Sequence, residues 1–187
     1  PVLRVRSADD ITPIRSHSEI RMQSMTLDEK IGQMFQVRVS GDEMNDSIRE
    51  LIETRHIGGI IYFQYNGNLN DPVRSARFSN DLQACAMGTD GKSIPLLLSM
   101  DQEGGRVTRI TGGCDFPGNM GLGAARSELV AQQAAAVMGR EIRAVGAQMD
   151  LAPVLDVNNN PANPVIGVRS FGEEPGLVSD LGRADRK

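Results

Sequence analysis

Short apolar bursts alternate along this chain with stretches in which apolar residues recur every three or four positions. Thr26-Leu27-Asp28-Glu29 has the S/T-x-x-E form of a capping box and predicts a short helix through about Gln33. A first strand follows over Met34–Val39. From Asp42 a second helix is expected, because Met44, Ile48, Leu51 and Ile52 fall on one face of a 3.6-residue period. Residues 57–63, IGGIIYF, read as a second strand, closed by the turn formers of QYNGNLND. A third helix over Asp71–Met87 turns Val73, Ala76, Leu82, Cys85 and Ala86 inward. Ile94–Met100 is a third strand, so nearly continuous in its apolar residues that burial on both faces is expected. A long loop then runs through Ala125, with Gly, Asp and Pro crowded into GGCDFPGNMGLG. Ser127 caps a fourth helix to about Val145, burying Val130, Ala134, Val137, Met138 and Ile142. A fourth strand spans Gln148–Ala152, a second long polar loop follows it, and Pro175–Lys187 opens a further helix.

Strands alternating with helices predict an α/β fold of parallel βαβ units, whose right-handed crossovers place every strand's carboxyl end on one rim. A (β/α)8 TIM barrel has eight strands in about 250 residues. Four strands in 187 residues make the expected fold the first half of such a barrel, over residues 25–187, behind an N-terminal extension over residues 1–24. The competing architecture is an open, doubly wound four-stranded sheet complete in itself. A half barrel leaves open edges and an apolar inner face. Its missing half is therefore expected from a continuation of the chain, a nicked fragment or a second copy.

Composition removes several function classes. Lys and Arg number 20 against 24 Asp and Glu, and a net charge of −4 offers no footprint for nucleic acid or an anionic membrane. No apolar run approaches the roughly 20 residues of a membrane span. The chain begins at Pro1, so a cytoplasmic location and secretion after signal removal both stay open. Cys85 and Cys114 lie outside any metal-type spacing and are expected as reduced thiols packed like small hydrophobes. His17 and His56 have no acidic or thiol partner at ligand spacing, so neither a metal nor a cofactor is expected. Asn45-Asp46-Ser47 matches a glycosylation sequon but falls inside the predicted second helix.

The chemistry concentrates where the third strand ends. Asp101-Gln102-Glu103-Gly104-Gly105-Arg106 breaks the apolar run without transition, and Arg109 follows. Ligands of barrels and open α/β sheets bind at strand carboxyl ends. Gly104 and Gly105 allow a sharp turn and close approach, and guanidinium forks suit hydroxyls or carboxylates. The alternative is that Asp101 caps a helix while Glu103, Arg106 and Arg109 form a solvated ion-pair cluster. The loop after the fourth strand presents Asp156, Asn158 and Arg169 on the same rim. Asp156 is expected to hold that loop through Asx-turn bonds, and Arg169 has Glu173 or Glu174 as alternative surface partners. Tyr62, Phe63, Phe116 and Phe171 are expected in the core rather than as a platform for a sugar. GNMGLG does not follow a strand directly, so a nucleotide site is not expected there.

IGGIIYF, PLLLSMDQEGGRVTRI, FPGNMGLGA and LAPVLDVNNNPANPVIGVRSFGEEP, in this order and at these separations, resemble the N-terminal barrel of glycoside hydrolase family 3, and within it the bacterial β-N-acetylglucosaminidase branch. The resemblance implies an exo-acting retaining hydrolase that removes terminal β-linked N-acetylglucosamine from peptidoglycan or chitin fragments. It implies that Asp101, of the DQEGGRV motif, receives sugar hydroxyls, that Arg109 and Arg169 bind the same sugar, and that Glu103, Gly104 and Gly105 shape the loop. The family's Lys-His pair, acid/base loop and Asp nucleophile lie on later strands and have no match here, so the catalytic residues are expected beyond Lys187. Three other readings remain: a non-catalytic carbohydrate-binding half-barrel, a family 3 β-glucosidase, and a phosphate-handling barrel enzyme.

Overall fold

Strands that follow one another in the chain also pair with one another in space. The computed structural model describes residues 19, 21–88 and 94–185. In it β1 (Gln36–Arg38), β2 (Gly59–Tyr62), β3 (Leu97–Met100) and β4 (Met149–Asp150) form one sheet in the order β1-β2-β3-β4, with every neighbour parallel. Helix α1 (Leu27–Gln33) precedes β1; α2 (Asp46–Glu53), α3 (Pro72–Met87), α4 (Asn119–Ala125) and α5 (Glu128–Ala144) occupy the connections, and α6 (Pro175–Ala184) follows β4. Unbroken order is the barrel pattern. A doubly wound sheet reverses its order at a switch point, which rules out the competing architecture.

Register shows which face meets the helices. Val37, Ile60 and Leu98 are paired across the sheet and share a face, as do Tyr62 and Met100 two residues further along their strands. Ile48 and Ile52 of α2, Phe78 and Leu82 of α3 and Ile142 of α5 pack with them in one continuous core. Gln36, Arg38, Ile61, Leu97 and Met149 take the opposite face by the same register. There Leu97 is 44% exposed and Met149 38%, while Ser99 on the same face is fully buried, so the expectation that β3 is buried on both sides holds at Ser99 and is corrected at Leu97. A barrel interior is filled by side chains from all its strands. Four strands supply only their own share.

Local signals placed most helix starts. The Thr26 capping box forms in full: the Glu29 N–H donates to Thr26 Oγ1 at 3.2 Å, and the Thr26 N–H donates to Glu29 Oε2 at 2.6 Å. Asp71 caps α3 and Ser127 caps α5. The second helix starts at Asp46 rather than Asp42, because Asn45 accepts the Ile48 N–H and serves as its N-cap. Asn45 therefore precedes the helix in which the sequon was placed. Paired strands are shorter than the apolar runs that contain them. Val73 and Val130, expected inward, are 60% and 42% exposed; each lies in the first turn of its helix, before the axis reaches the sheet. Cys114 is exposed and Cys85 only half-buried, so Cys114 does not pack as a hydrophobe. His17 and most of residues 1–24 lie outside the described residues, although residues 21–24 are helical. No helix among the described residues is long and apolar enough to cross a membrane.

The largest departure from expectation is α4, inside the segment predicted to be loop. Its glycines disfavour helix locally, yet they permit a close approach that compensates. A Cβ on Gly123 would stand 1.7 Å from the Phe171 carbonyl oxygen. Leu122 meanwhile joins Phe171, Ala131, Ala134, Val178 and Leu181 in a second apolar cluster that clamps α4, α5 and α6 together. Gly123→Ala is accordingly expected to destabilise the chain by roughly 1–3 kcal/mol or more in urea unfolding, through forced separation of α4 from Phe171. Gly139→Ala on α5, where an added Cβ meets nothing within 4 Å, is expected to stabilise it by about 0.5–1 kcal/mol. Equal effects at the two sites would contradict this packing.

Candidate functional site

Asp101 is the first residue beyond β3, and the chain turns back so that Arg109 meets it. Arg109 Nη2 donates to Asp101 Oδ2 at 3.4 Å, with each side chain 24% exposed. The guanidinium carbon lies 5.8 Å from the Phe63 ring centroid, within cation–π range. Phe63 itself stacks on Tyr65 at 5.0 Å. Placed by the sequence in the core, Phe63 instead stands half-buried at the end of β2 and supports Arg109, because the residue after a strand's last paired position leaves the sheet. Tyr62 and Phe171 are buried as expected, and Phe116 packs against the second cluster.

The turn between Asp101 and Arg109 is held from inside. Gln102 is fully buried; its Oε1 accepts the Arg109 N–H at 2.7 Å and the Ile110 N–H at 3.4 Å. Its own N–H donates to Asp150 Oδ1 on β4 at 2.9 Å. The Glu103 N–H donates to the Val107 carbonyl at 2.9 Å, and the Gly105 N–H to the Phe116 carbonyl at 2.8 Å. Gly104 and Gly105 both sit at positive φ, 80° and 57°. A Cβ on Gly105 would be strained by its φ of 57° and would crowd Gly118 Cα at 3.1 Å.

The loop after β4 reaches the same place. Arg169 closes a short 3-10 turn, Gly167–Arg169, and its carbonyl accepts from Asn119 Nδ2 at 2.8 Å. Its guanidinium grips Glu103 with two bonds, Nε to Oε2 at 2.9 Å and Nη2 to Oε1 at 2.6 Å. The Glu103 side chain is 4% exposed and that of Arg169 30%. Glu103 is thus the partner of Arg169, in place of the Glu173 or Glu174 proposed from proximity in sequence; Glu174 is taken by Arg126. This bond chiefly, with Asp101 and Asp156 adding their charge, raises the Arg169 pKa above its ordinary value. Asp156 is exposed, and its carbonyl, not its carboxylate, accepts from Ser170 Oγ. The Asx bonds expected of it are made by Asn160 to the Ala162 N–H and by Asn163 to the Val165 N–H. Two of the three candidates, Asp101 and Arg109, are in direct contact, and Arg169 joins them through Glu103, two residues from Asp101. Arg106 is exposed and borders a cavity of about 350 Å³ beside Glu103, Asn119 and Arg169.

Nothing local in the sequence marks Asp150. It sits on the helix side of β4 beside a cavity of about 810 Å³ that Asp185, Glu103, Arg140 and Arg143 also line. Burial pushes its carboxyl up to about 7, against the opposing effect of the Gln102 N–H; Asp185, Asp101 and Glu103 push it further the same way. Burial also raises Asp185, to about 6.

Comparison with known proteins gives a consistent result. The model of the glycosyl hydrolase family 3 N terminal domain matches residues 26–185. The chain is 39% identical over 145 residues to beta-hexosaminidase A of Pseudoalteromonas piscicida, a match that covers 75% of this chain and 24% of that protein. It is 35% identical over 153 residues to a beta-hexosaminidase of Thiobacillus denitrificans, covering 78% and 40%. The structure of a glycoside hydrolase family 3 beta-N-acetylglucosaminidase from Paenibacillus sp. str. FPU-7 superposes with a TM-score of 0.81 at 47% identity, over 87% of this chain and 30% of that one. The chain therefore spans less than half the length of each of these relatives.

The raised carboxyls make stability depend on pH. A group whose folded pKa lies above its unfolded value favours folding when protonated. Its contribution is complete below an unfolded pKa near 3.8 and is lost as pH rises through about 7 for Asp150 and about 6 for Asp185. Asp150→Asn keeps an oxygen for the Gln102 N–H and removes the charge. It is expected to raise the urea midpoint at pH 8, with the gain shrinking steadily toward pH 4. An equal gain at both pH values would mean that Asp150 does not titrate in that window.

Proposed function

Because the chain belongs to glycosyl hydrolase family 3, we propose that residues 25–187 supply the N-terminal part of a β-N-acetylglucosaminidase barrel, behind an extension over residues 1–24. Asp101, Arg109 and Arg169 bind the terminal non-reducing β-linked N-acetylglucosamine of peptidoglycan or chitin fragments. The observation that carries this reading is the pairing of two carboxylates with two guanidinium groups on one rim, Asp101 with Arg109 and Glu103 with Arg169. Such pairs are rich in directed donors and acceptors but balanced in charge, which suits an uncharged polyhydroxyl ligand. Arg109 and Arg169 are each paired with a carboxylate, which argues against a phosphate site built on these two residues. The relatives named above are called beta-hexosaminidases and a beta-N-acetylglucosaminidase, in keeping with an amino sugar.

Retaining hydrolysis needs a nucleophile and an acid about 5–5.5 Å apart around the anomeric carbon. The family motifs that carry both catalysts have no match in residues 1–187, so this reading places both catalysts outside the chain. They belong on the half barrel that covers Leu97 and Met149, reached as a continuation, a nicked fragment or a second copy.

The test is hydrolysis and binding by the assembled protein. Aryl N-acetyl-β-glucosaminides are expected to be cleaved in preference to aryl β-glucosides. Cleavage of glucosides alone would reassign the sugar, and binding without cleavage would make this a carbohydrate-binding half-barrel. Asp101→Ala is expected to weaken N-acetylglucosamine binding roughly ten- to a hundred-fold by calorimetry, the equivalent of about 1.5–3 kcal/mol for a lost charge-assisted bond. Unchanged affinity would remove Asp101 from the site.

A further inference from the structure

Glu103 is the most deeply buried charged side chain on the rim, and its position is over-determined. Its N–H bonds the Val107 carbonyl at 2.9 Å, and the next residue, Gly104, turns through φ 80°. Its carboxylate, 4% exposed, has both oxygens on the guanidinium of Arg169. The other end is equally fixed: the Arg169 N–H donates to the Ile166 carbonyl at 2.9 Å, its carbonyl holds Asn119 Nδ2, and the next residue, Ser170, is fully buried. Two loops leaving different strands are thus joined by one planar, two-bond contact.

We propose that Glu103 is the positioning residue for Arg169, occupying its Nε–Nη2 edge while Nη1 reaches the Val165 carbonyl at 3.4 Å, so that the guanidinium N–H groups left over are held ready for a sugar hydroxyl. The inference rests on the reading of Arg169 as a sugar ligand. Arginine is long and rotamer-rich, and a side chain that must be ordered on binding weakens the complex. Glu103 orders it beforehand. It uses the one edge that matches a carboxylate bidentately, and the 30% of the side chain still exposed remains on the rim. Its charge also cancels that of Arg169, so the exposed guanidinium edge acts as a hydrogen-bond donor to neutral hydroxyls rather than as a trap for anions. Glu103 itself, almost wholly covered, is not placed to touch the ligand.

The test uses the enzyme with its barrel complete and the hydrolysis of an aryl N-acetyl-β-glucosaminide, with thermal unfolding as a check on folding. Glu103→Gln keeps the shape but turns an amide N–H toward the arginine. It is expected to lower kcat/KM roughly ten- to a hundred-fold, as misplacement of a ligand-positioning group does, mainly through KM. Arg169→Lys keeps the charge but has no fork, and is expected to show the same KM-dominated loss. The double variant is expected to be no worse than Arg169→Lys alone, since a residue that acts through another has nothing left to position once that residue is changed. Losses that multiply, or a Glu103→Gln enzyme with unaltered KM, would overturn the proposal. Should Glu103→Gln fail to fold, Arg169→Lys decides alone, because retention of the original KM shows that the fork is unnecessary. If the unsubstituted enzyme neither cleaves nor binds the N-acetylglucosaminide, the sugar reading itself is wrong and this inference falls with it.

Discussion

Parallel pairing between successive strands is the constraint from which the site follows. A parallel neighbour can be reached only by a crossover that carries the chain back to the starting end of the sheet. Each connection does this here, so the residues after β2, β3 and β4 all emerge on one rim. Phe63, Asp101 and the loop that carries Arg169 come from separate parts of the chain and meet there. The bonds that stitch this rim run between strand ends: the Gln102 N–H to Asp150, and Glu103 to Arg169. Without the shared direction of the strands, neither bond has both ends in one place.

The rim contains two kinds of buried carboxylate, and they meet the cost of burial differently. Glu103 is covered almost completely but has a guanidinium on both oxygens, which is how a buried charge is tolerated. Asp150 accepts one N–H from Gln102 and has no cation bonded to it among the described residues, so burial pushes its carboxyl up to about 7. The first arrangement fixes a charged group in place. The second makes the charge state of the β3–β4 junction sensitive to pH near neutrality, on the helix side of the sheet.

The uncovered inner face is the counterpart of the rim. Leu97, Met149 and Ile61 line the face that a complete barrel would enclose, and the polar Gln36 and Arg38 stand beside them. The same four strands therefore present a finished outer layer, sealed by α2, α3 and α5, and an unfinished inner one. Membership of a family whose relatives are more than twice as long agrees with this asymmetry.

Much of this was legible in the residues themselves. The capping box at Thr26, the caps at Asp71 and Ser127, the periodic apolar positions and the abrupt change at Asp101 are local patterns, and local patterns survive without knowledge of the rest of the fold. They determined four parallel strands, most of the helices between them, and which loops bring charged residues to the rim. The sequence could not tell that Arg169 reaches back 66 residues to Glu103, because nearer acids compete on paper and only the rim brings the distant one into contact. Nor could it show that Gln102 is the buried anchor of the turn, that Asn119–Ala125 is helical despite its glycines, or that β3 is exposed at Leu97. Each of these depends on what packs against a segment from elsewhere in the chain. That is a property of the tertiary structure alone.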